Sequence, residues 1–229
     1  MRQIPILLLL LLIVAGCAKR AEVQKEVVQE KPPPPGIIPE PLMQKAEKKY
    51  GVFARNRYEA FNTMITGLQE QPVGVQLETV NNFFNNVPYG DDIDVWGQSD
   101  YWATPLEFLG RDRGDCEDYV IAKYFALRSL GVASERLYFA YVKSLRFNVE
   151  HMVLSYFPTP SSVPLILDNT NFKIFPADQR KDLIPVYNFN METLYRANGS
   201  GQNGQALENN KKTKNRWERL LRDIGNNKL

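Results

Sequence analysis

Residues 113–131 read Arg-Gly-Asp-Cys-Glu-Asp-Tyr-Val-Ile-Ala-Lys-Tyr-Phe-Ala-Leu-Arg-Ser-Leu-Gly, and the fold turns on them. Val120, Ile121, Tyr124, Phe125 and Leu127 recur at helical spacing. The spacing predicts a helix from near Cys116 through Leu130, capped by Gly131. Past Gly131 the apolar period falls towards two. Strands are predicted at 136–145, 151–157, 164–168 and, more weakly, 183–189. Connections of three to nine residues suit antiparallel pairing.

Upstream the pattern is helical. Ala46, Tyr50, Phe53, Tyr58, Phe61, Ile65 and Leu68 suit an amphipathic helix with a bend at Gly51, and 75–84 a second helix. Residues 91–109 read as irregular, and 198–213 as a polar, mobile loop. Trp217, Leu220, Leu221 and Ile224 predict a short terminal helix. Helices first and a sheet afterwards indicate an α+β fold, the helical N-terminal half packed on an antiparallel sheet. The domain is expected over 42–197, followed by the polar loop and helix of 198–229.

The first 41 residues read as an address and a spacer. Arg2, the apolar run Ile4–Val14 and Ala15-Gly16-Cys17 resemble a bacterial lipoprotein signal over 1–16, with Cys17 the lipidated first residue of the mature chain. The run is short for a membrane span. No Asp directly follows Cys17, and Lys19 comes soon after. By the sorting rule of enteric bacteria this points to a periplasmic domain anchored at the outer membrane. Residues 17–41, with four consecutive prolines at 32–35, suit an extended tether.

Composition sets limits on the chemistry. The 229 residues carry 28 Lys and Arg against 26 Asp and Glu, a net charge of +2, which argues against nucleic acid as the main partner. One histidine, His151, excludes a multi-histidine metal site. Two cysteines exclude a disulfide framework. If Cys17 carries lipid, Cys116 is the one thiol of the mature chain.

Cys116 opens a predicted helix, whose N-terminal partial charge favours thiolate and whose N–H groups suit an oxyanion. His151 begins a strand and Asp168 ends the next, 35 and then 17 residues on. A thiol, a base and a group that orients the base are the parts of acyl-transfer catalysis. Each residue alone also fits a structural role, as buried thiol, satisfied polar group or turn former. Asp115 and Glu117 flank the thiol and would raise its pKa. A divalent cation bound to them would cancel that effect, and their oxygens suit Ca²⁺. Asp112 and Asp118 are further possible ligands. The acidic stretch 89–94 lacks the spacing of a calcium loop and reads as solvated. Of the nearby aromatic residues, Trp102 is the one expected to reach a substrate groove.

The motifs Tyr101-Trp102-Ala103-Thr104-Pro105-Leu106-Glu107-Phe108-Leu109, Gly114-Asp115-Cys116-Glu117-Asp118-Tyr119 and His151-Met152-Val153-Leu154 resemble the bacterial transglutaminase-like cysteine proteinases over roughly residues 50–189. The resemblance implies a papain-like, transglutaminase-type fold and a Cys116-His151-Asp168 triad. It also implies calcium bound by Asp115 and Glu117. The implied substrate is a large secreted adhesin, cut near its N-terminus at paired alanines to release the cell from a biofilm. A cyclic di-GMP receptor that sequesters the protease is the implied partner. Family members are often soluble in the periplasm, so the lipid signal is a departure. Two other readings fit the same residues: another acyl transferase on this fold, such as a transglutaminase or peptidoglycan amidase, and a non-catalytic binding lipoprotein.

Overall fold

The structure, a computed structural model, describes residues 37–190, 194–207 and 211–229. The signal segment 1–16, Cys17 and the tether up to residue 36 lie outside the described residues.

Among the described residues six α-helices come first: α1 (Glu40–Tyr50), α2 (Val52–Leu68), α3 (Val73–Asn85), α4 (Asp92–Trp96), α5 (Pro105–Arg111) and α6 (Cys116–Ser129). Seven strands follow: β1 (Leu137–Ser144), β2 (Val149–Tyr156), β3 (Leu165–Asp168), β4 (Asn171–Pro176), β5 (Leu183–Phe189), β6 (Leu194–Ala197) and β7 (Asn203–Leu207). Helix α7 (Lys211–Gly225) closes the chain. The strands form one antiparallel sheet in the order β4-β3-β2-β1-β5-β6-β7. The fold is the expected α+β arrangement.

The bend predicted at Gly51 is a break. Gly51 has φ 89°, which a residue with a Cβ rarely adopts, so α1 ends and α2 begins there. The stretch 91–109, expected to be irregular, holds two short helices. α5 starts at a capping box: Thr104 Oγ1 accepts from the Glu107 N–H and Glu107 Oε2 accepts from the Thr104 N–H, both at 3.0 Å. The Thr-Pro-x-Glu signal for it is in the sequence, but seven residues are too few to show an apolar period.

Both faces of the sheet centre are covered. Met152, Leu154, Tyr156, Phe139 and Leu167 join the main core under the helices. Ala140, Val142, Val153, Ile166, Ala177 and Leu183 form a second cluster. β2 is therefore buried continuously from His151 to Tyr156, without alternation.

The C-terminal region departs from expectation. Residues 203–207, within the supposed polar loop, pair with β6 as an edge strand. Such a strand needs no apolar face, so periodicity did not show it. α7 belongs to the main core: Trp217 packs on Tyr124, Phe125 and Phe139 at 5.2–6.0 Å between ring centroids, and Leu220 is fully buried.

Candidate active site

Cys116 is the first residue of α6, with Asp115 at the N-cap. The loop before it is held by backbone pairing, the Gly90 N–H donating to the Gly114 carbonyl at 2.9 Å. Gly114 is required by close approach: a Cβ there would lie 2.4 Å from Asp118 Oδ2 and 2.8 Å from the Phe108 ring. α6 packs on β2, and the Met152 backbone of that strand favours the ionised thiol. His151 is the preceding residue of that strand. Cys116 and His151 thus lie on elements that pack together, although 35 residues separate them in the chain.

His151 Nε2 lies 2.9 Å from Asp168 Oδ1. Both side chains are buried, Asp168 to 1 % exposure. Burial works to raise the Asp168 pKa. Hydrogen bonds from His151, the Thr170 N–H and Arg180 outweigh it and hold the carboxyl well below the usual range. An ionised carboxylate only accepts, so the proton between the two rests on Nε2. Nδ1 is then the basic nitrogen left for the thiol.

Three residues that fix Asp168 escaped the sequence reading. Arg180, buried between the sheet and the 177–182 turn, places Nη2 2.7 Å from Asp168 Oδ2. Thr170 adds its N–H at 2.8 Å to Oδ1 and its hydroxyl at 2.9 Å to Oδ2. Asn85 of α3 donates to the Asp168 carbonyl at 2.7 Å. Thr170 stands in a local Asp-x-Thr turn that sequence can signal. Arg180 and Asn85 reach Asp168 across elements, and no spacing rule shows them.

The acids around the thiol divide into two groups. The Cys116 thiol donates to Glu117 Oε2 at 2.8 Å. Burial, then Glu117, then Asp115 push the thiol pKa well above its ordinary value. Asp92, Asp115 and Asp118 instead converge, with one oxygen from each lying within 4.8 Å of the others. The Tyr101 N–H donates to Asp92 Oδ2, and the Ala103 N–H to Asp118 Oδ1 at 2.8 Å. Asp92 Oδ1, Asp115 Oδ1 and Asp118 Oδ2 remain buried without a hydrogen-bond partner. Burial, then Glu117, Asp118 and Asp92, push Asp115 up to about 10. Burial also raises Asp92 and Asp118. Three converging carboxylates, each with one buried oxygen left without a partner, fit a hard divalent cation.

The predicted ligands fall out unevenly. Asp115 and Asp118 are in the cluster. Glu117 is outside this group of three and bonds the thiol. Asp112 pairs with Arg57 at 3.3 Å. Asp92, from the stretch read as a solvated loop, completes the cluster, because α4 carries it inward to 7 % exposure.

Trp102 is not a groove residue. It is 1 % exposed and stacks on Phe189 with ring centroids 6.2 Å apart. The backbone on either side of it, at Tyr101 and Ala103, serves the acidic cluster. Aromatic groups within electrostatic reach of the thiol are Tyr89, before α4, and Tyr141 of β1. Tyr141 packs on Tyr187 at 4.7 Å.

Comparison with known proteins agrees with this geometry. No curated protein sequence matches the chain significantly. Solved structures of Legionella pneumophila LapG do. One is 40 % identical, with a TM-score of 0.68 over 82 % of this chain and 99 % of that one. A calcium-bound form is 43 % identical, with a TM-score of 0.66 over 80 % of this chain and 97 % of that one. An EGTA-treated form is 40 % identical, with a TM-score of 0.69 over 82 % and 99 %. Residues 58–182 match the family described as bacterial transglutaminase-like cysteine proteinase, and this chain belongs to that family.

Proposed function

We propose that the protein is a calcium-dependent cysteine endopeptidase in which Cys116, His151 and Asp168 form the catalytic triad. The observation that carries this reading is the buried His151–Asp168 pair at 2.9 Å, whose histidine stands on a strand packed against the helix that Cys116 opens. Cys116 attacks the peptide carbonyl as His151 Nδ1 takes its proton. His151 then gives that proton to the leaving amine. Asp168 holds the tautomer and stabilises the imidazolium. The Cys116 N–H at the helix start is one oxyanion donor. Water, deprotonated by His151, releases the thioester.

Asp92, Asp115 and Asp118 would hold the calcium, with Glu117 beside them. When bound it supplies positive charge that offsets the acids next to the thiol and orders the loop that carries it. The calcium-bound and EGTA-treated forms of the Legionella relative support a metal at this fold.

The substrate we propose is a large secreted adhesin, whose cleavage releases cells from a biofilm. A lipid on Cys17 would hold the protease at the periplasmic face of the outer membrane, and a cyclic di-GMP receptor would sequester it. The decisive experiment compares cell-surface proteins of the wild type and Cys116→Ala. Loss of one processed adhesin in the variant is expected. Unchanged processing sinks the reading. Globomycin-sensitive maturation lost in Cys17→Ala tests the anchor.

A further inference from the structure

The segment 100–104, between α4 and α5, belongs to no helix or strand, yet its backbone serves the acidic cluster. The Tyr101 N–H occupies one oxygen of Asp92, and the Ala103 N–H one oxygen of Asp118. The other oxygen of each is left buried without a partner. These two bonds fix which way each carboxylate is turned, as groups behind metal ligands commonly do. With no regular structure of its own, the segment takes its shape from what its side chains touch.

The end of the chain supplies many of those contacts. Arg216 of α7 pairs with Asp100 and lies 5.8 Å from the Trp102 ring centroid. Arg219 lies 4.8 Å from the Tyr101 ring centroid. Lys228, beyond α7, donates to the Tyr101 hydroxyl at 2.5 Å and to Asp223 Oδ2 at 2.9 Å. That hydroxyl donates in turn to Glu107 Oε1 at 2.9 Å. The Lys228 carbonyl accepts from Thr104 Oγ1 at 3.0 Å. One residue therefore grips the segment at Tyr101 and at Thr104, on either side of Ala103. Its own place is set by the helix end. α7 closes in a Schellman motif: Asn227 takes φ 50°, its N–H donates to the Ile224 carbonyl, and the Lys228 N–H donates to the Asp223 carbonyl, both at 3.0 Å.

We infer that Lys228 is a positioning residue for the proposed calcium site, acting through Tyr101 and Thr104 to hold the two N–H groups that turn Asp92 and Asp118. The inference rests on the calcium reading above. The bonds of Lys228 reach the segment, and the segment reaches the acids. A lysine that merely fastened the end of α7 would leave those N–H groups and the cation unaffected.

The test is calcium titration by calorimetry of the full-length protein at pH 7. Lys228→Met should raise Kd about tenfold. Lys228→Arg, which keeps a charged donor, should return it to within about threefold of wild type. Tyr101→Phe cuts the same link, so the double variant with Lys228→Met should exceed the larger single effect by less than about twofold. Hydrogen exchange in EGTA reads the segment without the metal. The Tyr101 and Ala103 amides should exchange about tenfold faster in Lys228→Met. Lys214→Met, which removes an exposed charge of α7, should leave both readouts at wild-type values. Wild-type values in Lys228→Met, no recovery in Lys228→Arg, or additive effects in the double variant overturn the inference while leaving the calcium site standing. A wild type that binds no calcium overturns both. Should Lys228→Met not fold, Tyr101→Phe decides: tenfold weaker binding with faster exchange is expected, and wild-type values overturn the inference.

Discussion

Asp168 is the most constrained side chain of the site. It accepts from His151, Thr170 and Arg180, while Asn85 holds its carbonyl. Asp168→Asn should keep the fold and lower kcat by roughly three to four orders of magnitude, read with a peptide substrate, because the imidazole loses its tautomer. Arg180→Met should act on stability. It removes one partner of a buried pair, at a cost of about 3 kcal/mol by urea denaturation. The Asp168 carboxyl is depressed in the folded state, so its contribution is complete above the unfolded value near pH 4 and is lost as pH falls towards the folded one. Acid unfolding of Arg180→Met should therefore begin at higher pH than in wild type. Cys116, His151 and Asp168 stood out in the sequence as residue types in an order suited to acyl transfer. Arg180 and Asn85 did not, since each reaches Asp168 from another element.

At the level of elements, α6 and the segment before it present both the thiol and the acidic cluster. Gly114→Ala would drive a methyl group into Asp118 and Phe108. Calcium affinity should fall by at least about tenfold by calorimetry, as expected when the support of a ligand is disturbed. Activity should fall with it. Thr104→Ala removes the capping box of α5 and should cost about 1 kcal/mol, with a smaller effect on calcium binding. Long elements showed themselves in the sequence, α2 and α6 by their helical period and β1 and β2 as apolar runs. α4, α5, β4, β6 and β7 did not, because short or edge elements take their stability from contacts made elsewhere. The miss at α4 mattered most, since it brings Asp92 inward.

For the whole molecule, three converging carboxylates make stability depend on calcium and pH together. Burial and mutual repulsion raise Asp92, Asp115 and Asp118 in the folded state, Asp115 to about 10. In chelator, the folded chain then keeps protons that the unfolded chain releases, so stability falls as pH rises above about 4. Calorimetry in EGTA should show Tm decreasing from pH 5 to pH 8. Saturating calcium should flatten that slope and add about 2.7 kcal/mol at a hundredfold excess over Kd. A chelator-insensitive Tm would exclude the cation site.

Local order in the chain was enough to determine the α+β class, the helix that starts at Cys116, the strands of His151 and Asp168, and the excess of acid beside the thiol. These follow from periodicity and residue chemistry, which act over a few residues. Only the tertiary structure decided that Asp92 rather than Asp112 joins Asp115 and Asp118, that Trp102 is core, and that Arg180 shares Asp168 with the imidazole. Those outcomes depend on which side chains are buried together. Burial makes an orphaned oxygen consequential, and it is set by the packing of α4, α6 and the sheet rather than by any one segment.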